Sequence, residues 1–408
     1  MRLLYICHES LPSPHTNTEQ LVHTASELAR QGCRVDLIIP KNGNRSGVAA
    51  ERHREIASFY GIDRAVFESG LNFIELPYPA VFGNRLRMPI HDLRAVRFGR
   101  ARSYDLVYTR DPLPLLASLA AGVRTVFETY RTDVNTLSRY RPWRSFCYSR
   151  SQLLGIVTHS RLSRQSFLNA GISPSRILLA YNGCSPISPP PDGNRVQIRR
   201  NLGLTTERNL RLTADRKMIL YAGHINRQKG VDVFIPLAQM LDDVQFVLLG
   251  AVHDSPESAR LEQKLASQGI SNVAVVPRVT PSRVDDYISA ADILIIPPSS
   301  EPLTRSRRTV LPLKTFRYMA AGRPIVAPDL PDIREVLEHG RNAVLVPADS
   351  PESVARAIKE LMQDKRMQER ISEDALRDSR KYSWAGRAAR ISAFLRELLG
   401  EKDQSPSS

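Results

Sequence analysis

The chain has 408 residues, 42% of them hydrophobic and 24% charged, with a formal net charge of +15 at pH 7. That is the composition of an ordinary globular protein, long enough for two domains of about 200 residues each. No apolar run reaches the roughly 18 residues that a bilayer-spanning helix needs, and the four cysteines, Cys7, Cys33, Cys147 and Cys184, lack disulfide or metal-ligand spacing, which suits a reducing cytoplasm.

Residues 1–190 hold 24 Lys and Arg against 14 Asp and Glu, so most of the positive excess lies in the first half. Such a charge favours phosphate, acidic polymers, nucleic acid or anionic lipid headgroups without choosing among them. The opening residues Met1–Cys7 turn polar too soon for a signal peptide and predict a first strand, Leu3–Ile6. A polar loop, His8–Asn17, leads to a helix from about Glu19 to Gln31 whose apolar face is Leu21, Val22, Ala25, Leu28 and Ala29. Gly32 ends it, and Val35–Ile39 is a second buried strand. This alternation predicts a parallel sheet of Rossmann type.

Glu51–Phe67 is expected to be helical and Asn72–Leu76 a strand. Then Arg85, Arg87, Arg94, Arg97, Arg100 and Arg102 interleave with Leu86, Met88, Ile90, Leu93, Val96 and Phe98. The pattern fits a basic helix lying on a membrane surface, and equally a solvated helix face packed on its domain. Leu106–Thr109 and Thr125–Glu128 predict strands that end in Arg110-Asp111 and Glu128-Thr129-Tyr130-Arg131. Ligands of open parallel sheets bind beyond the carboxyl ends of strands, so both tips are candidates by position; Glu128 fits a structural loop acid equally well. Arg139–Phe146 mixes arginine with aromatic rings, a pattern shared by nucleic-acid stacking surfaces, lipid interfaces and ordinary surface loops. Gly155–Thr158 and Ile177–Ala180 predict strands around a helix Arg161–Ala170, followed by the turn signal Asn182-Gly183.

Pro186–Gly193, rich in proline, is the clearest linker. After it, the strand Met218–Ala222 runs into Gly223-His224-Ile225-Asn226-Arg227-Gln228-Lys229-Gly230 and a helix Val231–Leu241. Glycine at the strand end permits close backbone approach, and cations across the loop suit a diphosphate leaving group, whose charge grows as its bond breaks. Strands Val244–Leu249, Val273–Val276 and Ile293–Ile296 alternate with helices Leu261–Gln268 and Val284–Ala290. In Leu311–Leu337, Pro312 is expected to open a helix carrying Leu313, Phe316, Met319 and Ala320 and ending at Gly322. Pro324–Ala327 predicts a buried strand, and Asp329 and Asp332 are expected to cap a helix Ile333–His339. Lys314 in a first helical turn, behind the loop Ser299–Val310, makes an anion site from free N–H groups, helix dipole and cation together. Asp242-Asp243 and Asp285-Asp286 fall where helices would solvate them, so no metal cluster is predicted. Ser350 or Asp349 is expected to cap a helix Glu352–Met362, and Arg387–Leu399 is the last helix.

Pro312-Leu313-Lys314, followed by Tyr318-Met319-Ala320-Ala321-Gly322-Arg323-Pro324-Ile325-Val326-Ala327, resembles the donor-binding core of glycosyltransferase family 4, and the similarity runs over roughly residues 1–390. The resemblance implies the GT-B fold, an α/β architecture of two Rossmann-like doubly wound domains facing a central cleft. It implies an acceptor-side domain over 1–186, a linker over 187–193, a nucleotide-sugar domain over 194–380, a terminal helix over 381–400 crossing back to the first domain, and a polar tail over 401–408. The implied activity is metal-independent, cofactor-free hexosyl transfer with retention. A UDP- or GDP-linked sugar would pass to the hydroxyl of an acceptor glycan or glycolipid in cell-envelope or exopolysaccharide synthesis. The implied location is cytoplasmic, at the inner membrane face, with the basic first domain against anionic lipid and no specific nucleic-acid partner.

Residue by residue, the resemblance makes His224 and Lys229 the diphosphate-binding catalytic pair, with Gly223, Arg227 and Lys314 beside them. Arg278 and Val279 would receive the base; Glu128 and Tyr130 would meet the sugar; Glu301, Arg308, Thr309, Val310 and Arg317 complete the donor site. The departing phosphate can itself take the acceptor proton. Three positions depart from the family: Arg317 and Thr309 stand where a pair of glutamates is usual, and Tyr130 where a histidine is usual. The first loop also lacks the family's paired glycines. These departures fit a second expectation, a catalytically degenerate member that binds a sugar nucleotide or a partner without turnover.

Overall fold

The structure, a computed structural model, describes residues 1–41, 49–77, 84–133, 143–187, 195–204, 213, 215–301 and 311–400. It divides into two units, one of Met1–Asn182 with Trp384–Ser408, the other of Gly183–Ser383. The proline-rich segment lies almost wholly outside the described residues.

Strands of the first unit are brief apolar runs, as strands covered on both faces must be. They are β1 (Arg2–Ile6), β2 (Arg34–Pro40), β3 (Leu71–Leu76), β4 (Leu106–Thr109), β5 (Thr125–Thr129), β6 (Leu153–Thr158) and β7 (Ile177–Leu179). All pair in parallel, in the order β3-β2-β1-β4-β5-β6-β7. The order reverses between β1 and β4, and the crevice beyond their carboxyl ends is where such sheets bind ligands. One sheet face is covered by Leu21, Val22, Ala25 and Leu28 of the helix Thr16–Arg30 together with Ala388, Ile391 and Leu395 of the helix Trp384–Leu398. The other face packs Leu4, Ile6 and Val107 against Ala95 and Val96 of the helix Asn84–Arg100.

The second unit repeats the pattern with β8 (Met218–Ala222), β9 (Gln245–Ala251), β10 (Val273–Pro277), β11 (Ile293–Ile295), β12 (Ile325–Pro328) and β13 (Val344–Val346). Their order is β10-β9-β8-β11-β12-β13, again all parallel, with the reversal between β8 and β11.

Several expected helices differ. Glu51–Phe67 is broken into Ala49–Tyr60 and Ala65–Glu68, because Gly61 takes a left-handed φ of 70° and ends the first piece. Val231–Leu241 opens as a 3-10 turn, Val231–Val233, before the helix Phe234–Met240. Pro312 is the residue before the helix Leu313–Ala320 rather than its first turn. The expected helix Ile333–His339 is a single 3-10 turn, Ile333–Glu335, and Asp332 makes no side-chain cap. There the chain must turn at once into β13, and the Asn342 side chain takes the Glu338 N–H at 2.7 Å to do so. Ser350, not Asp349, caps the helix Pro351–Gln363, accepting from the Ser353 N–H.

Within Asn84–Arg100, His91 and Asp92 point inward, His91 bonding the Cys7 carbonyl at 3.0 Å. Burial first, then the Asp111 charge, push the Asp92 carboxyl up to about 8. The folded chain thus keeps a proton that the unfolded chain releases near pH 4, so stability falls as pH rises from about 4 through 8, by up to about 1.4 kcal/mol per pH unit. Asp92→Asn, with no proton to lose, is expected to flatten this fall between pH 5 and 8 in thermal melts; equal slopes for variant and wild type would contradict it.

Candidate functional site

In the second unit the end of β8 is crowded. A Cβ on Gly223 would stand 2.4 Å from Lys314 Nζ and 2.9 Å from the Tyr221 hydroxyl. A Cβ on Gly250, at the end of β9, would stand 2.1 Å from the Gly223 carbonyl oxygen. The two backbones approach so closely only because Gly250 lacks a side chain. Gly250→Ala is therefore expected to displace the Gly223–His224 backbone, to cost about 1–3 kcal/mol of stability and to weaken nucleotide binding. Chemical denaturation with nucleotide titration checks this, and a variant indistinguishable from wild type in both would contradict it.

The helix Leu313–Ala320 is anchored over the strand end by Tyr318, whose hydroxyl accepts the Ala222 N–H at 2.8 Å. This sets Lys314 across the strand end with Nζ 3.8 Å from the centroid of the Tyr221 ring. Among the described residues no carboxylate pairs with it. Burial first, and then the charge of Lys229, hold the Lys314 amine well below its ordinary pKa. A buried ammonium that feels a second cation is stabilised by any anion that reaches it, so the end of β8 suits a negatively charged ligand.

Lys229 itself is exposed, at the end of a 3-10 turn, Arg227–Lys229, that the Asn226 side chain caps by accepting the Lys229 N–H at 3.0 Å. Gly230 then takes a left-handed φ of 72°, against Ser299. Arg227 points outward, 75% exposed, with its Nε 3.8 Å from Asp232. His224 receives a bond at Nδ1 from Arg278, 2.9 Å away. A guanidinium has no lone pair to offer, so Nδ1 must be the acceptor and Nε2 carries the proton. His224 is thereby a neutral donor.

Val279 follows Arg278, half-buried, and the Arg278 N–H is tied to the Ala251 carbonyl at 2.8 Å. Arg317 turns to Asp285, 2.5 Å away, and to the Pro281 carbonyl at 2.7 Å. Glu301 is half-buried at the last residue described before 311; Arg308, Thr309 and Val310 lie outside the described residues. The structure thus brings together Gly223, His224, Lys229, Arg278 and Lys314, and adds Tyr221, Tyr318, Asn226 and Gly250. Of these, Tyr318 opens the stretch that carries the family resemblance, Asn226 lies in the loop after β8 and Gly250 closes an apolar strand, whereas Tyr221 had no signal beyond its place in a strand.

Glu128 and Tyr130 belong to the first unit. Glu128 is fully buried. Its carboxylate accepts from Gln20 at 2.7 Å, Tyr108 at 2.6 Å, His159 at 2.7 Å and Arg387 at 2.9 Å, with Arg110 3.7 Å away. Burial alone would raise its pKa, but Arg387, Arg110 and His159 hold it well below the usual carboxylate range. Burial lowers His159 to about 4, so it bonds Glu128 as a neutral imidazole. These bonds tie the terminal helix to the sheet. Tyr130, 38% exposed, stands at the rim of a pocket of about 220 Å³ beyond the ends of β1, β4 and β5, with the Arg131 Nε 3.2 Å from its hydroxyl. Among the described residues no group of three His, Cys, Asp or Glu side chains is placed to hold a metal ion, and no helix is long and apolar enough to cross a membrane.

Residues 19–186 match the family model Glycosyltransferase Family 4, and residues 216–364 the model Glycosyl transferases group 1. Each unit thus carries a glycosyltransferase match, family 4 in the first and group 1 in the second. Among the curated relatives of this chain are an alpha-D-kanosaminyltransferase of Streptomyces kanamyceticus, 26% identical over 51% of this chain and 50% of that protein, and a D-inositol 3-phosphate glycosyltransferase of Xylanimonas cellulosilytica, 30% identical over 48% of this chain and 44% of the relative. The chain spans about half the length of these curated relatives. The solved structure of HepE from Anabaena, in complex with UDP and glucose, matches 97% of this chain and 99% of its own with a TM-score of 0.72 at 17% identity. Its likeness gives the fold: two doubly wound α/β units, the GT-B architecture.

Proposed function

We propose that this chain is a family 4 glycosyltransferase that moves a hexosyl group from a UDP- or GDP-linked sugar to the hydroxyl of a glycan or glycolipid acceptor, with retention and without a metal. The observation that carries the donor site is the buried Lys314 ammonium beyond the end of β8, at the sheet's reversal, across from the strand-end glycine Gly223 and within range of the Lys229 charge. Both ammonium groups and the His224 Nε2–H would hold the diphosphate and stabilise the charge it gains on leaving. Relatives that are named transferases, and a fold shared with a UDP-bound protein, support the reading. A role in cell-envelope or exopolysaccharide synthesis at the inner membrane face is supported by the helix Asn84–Arg100. Its outer face carries Arg94, Arg97 and Arg100 beside Leu93, which is 54% exposed, and Met88, 50% exposed. Flotation with vesicles of anionic and of neutral lipid tests that surface.

Calorimetry with UDP and GDP tests the donor site. Binding of one or both is expected, about tenfold or more weaker in Lys229→Ala; no binding of either would overturn the proposal. A specific observation favours a second reading, binding without turnover. Arg317, where the family usually has a donor-side glutamate, is engaged by Asp285 and the Pro281 carbonyl. Turnover of a panel of sugar nucleotides separates the two, since the second reading predicts binding and no product.

A further inference from the structure

Tyr221 stands in the core of the second unit, yet it makes two contacts that core packing does not require. Its side chain is fully buried in β8, with the ring centre 5.9 Å from that of Phe234. A phenylalanine would pack there as well. What phenylalanine lacks is the hydroxyl, which donates to the His224 carbonyl at 2.8 Å, three residues on. Burial first, then Tyr318, push that hydroxyl far above its ordinary pKa, so it stays protonated and donates. The same ring turns a face to Lys314, whose Nζ is 3.8 Å from its centre. The face of an aromatic ring is negative, and it holds an ammonium most firmly where water is excluded. An aliphatic side chain of similar volume would offer Lys314 no such contact.

The geometry points to Tyr221 as a positioning residue of the donor site, its ring setting the Lys314 ammonium and its hydroxyl setting the Gly223–His224 turn for the same diphosphate. This rests on the donor-site reading above, and every residue it uses belongs to the second unit. A Cβ on Gly223 would meet both Lys314 Nζ and the Tyr221 hydroxyl, so glycine, ring and ammonium share one small space. His224 is held at its ring by Arg278 and at its carbonyl by Tyr221. The chain then passes to Asn226, whose side chain caps the turn that carries Lys229. Tyr221 touches no reacting atom in this scheme. It removes freedom from groups that would touch the phosphates, and freedom given up before binding is not lost during it.

Two variants of the full chain separate the contacts: Tyr221→Phe keeps the ring and drops the hydroxyl, and Tyr221→Leu drops both. Calorimetry with UDP and GDP is expected to show binding about three- to tenfold weaker in Tyr221→Phe. Tyr221→Leu is expected to be about tenfold weaker again. With Lys314→Met added to each, that second difference is expected to vanish, because the ring then has no ammonium to hold. A ring that only packs the core would keep the same difference in both backgrounds, and that result would overturn the inference.

A second measurement needs neither nucleotide nor a folded Tyr221→Leu. A ring current shields whatever lies over the ring's face, and the Lys314 ε-methylene is bonded to the nitrogen that lies there. In proton–carbon spectra its protons are expected upfield of those of the exposed lysines, in wild type and in Tyr221→Phe alike. Finding them among the exposed lysines in the wild type would overturn the inference, whatever UDP does. A wild type that binds neither UDP nor GDP would overturn the donor-site reading and the role of Tyr221 together. Binding with the difference between the two variants unchanged by Lys314→Met would overturn the role of Tyr221 alone.

Discussion

Lys314→Met is expected to weaken UDP binding by about 10- to 100-fold, the range for removing one charge-assisted hydrogen bond, about 1.5–3 kcal/mol. The effect has a second mark. With the site empty, burial and the neighbouring Lys229 depress the Lys314 pKa. A bound diphosphate reverses the balance of charge and raises it. Between the empty-site and bound values, binding takes up a proton, so affinity falls as pH rises through that window. Calorimetry in two buffers of different ionisation enthalpy reads this directly, with unequal apparent enthalpies expected for wild type and equal ones for Lys314→Met. Equal enthalpies in the wild type would contradict the assignment of Lys314 to the phosphate.

Arg387→Met is expected to destabilise the first unit by about 3–5 kcal/mol, the usual result of removing one partner of a buried ion pair. Arg387 reaches from the terminal helix to Glu128 at 2.9 Å and to Thr24 at 3.2 Å, and both charged partners are almost wholly inaccessible. The pH dependence follows from the depressed Glu128 pKa. Its stabilisation is fully present above the unfolded value, about 4.3, and is lost as pH falls through the folded one. The deficit of the variant should therefore be largest near neutrality and shrink in acid. Denaturant titrations at pH 7 and pH 4 check both statements; a loss under about 0.5 kcal/mol at pH 7, the scale of an ordinary surface change, would contradict them.

The strands were the most legible part of the chain. β1, β8 and β12 are unbroken apolar runs bounded by glycine, proline or polar residues, and burial on both faces leaves such runs few alternatives. Helices were less legible where the backbone of a neighbour decides. Nothing local distinguishes the single turn Ile333–Glu335 from a helix start, because what stops it is the pairing of β13 with β12. The candidate site divides in the same way. Gly223, Lys229 and Lys314 could be singled out as a strand-end glycine, a loop cation and a first-turn lysine, and the family resemblance proposes their role. The setting of Glu128 could not, since Gln20 and Arg387 approach it from 108 and 259 residues away. Nor could the partner that fixes the His224 ring, which lies 54 residues on.

A crystal of the full chain grown with UDP tests the central claim most directly. The β-phosphate is expected beyond the end of β8, within hydrogen-bond reach of Lys314 Nζ and Lys229, beside the Gly223 backbone. Nucleotide bound elsewhere, or a vacant β8 end at saturating UDP, would contradict it.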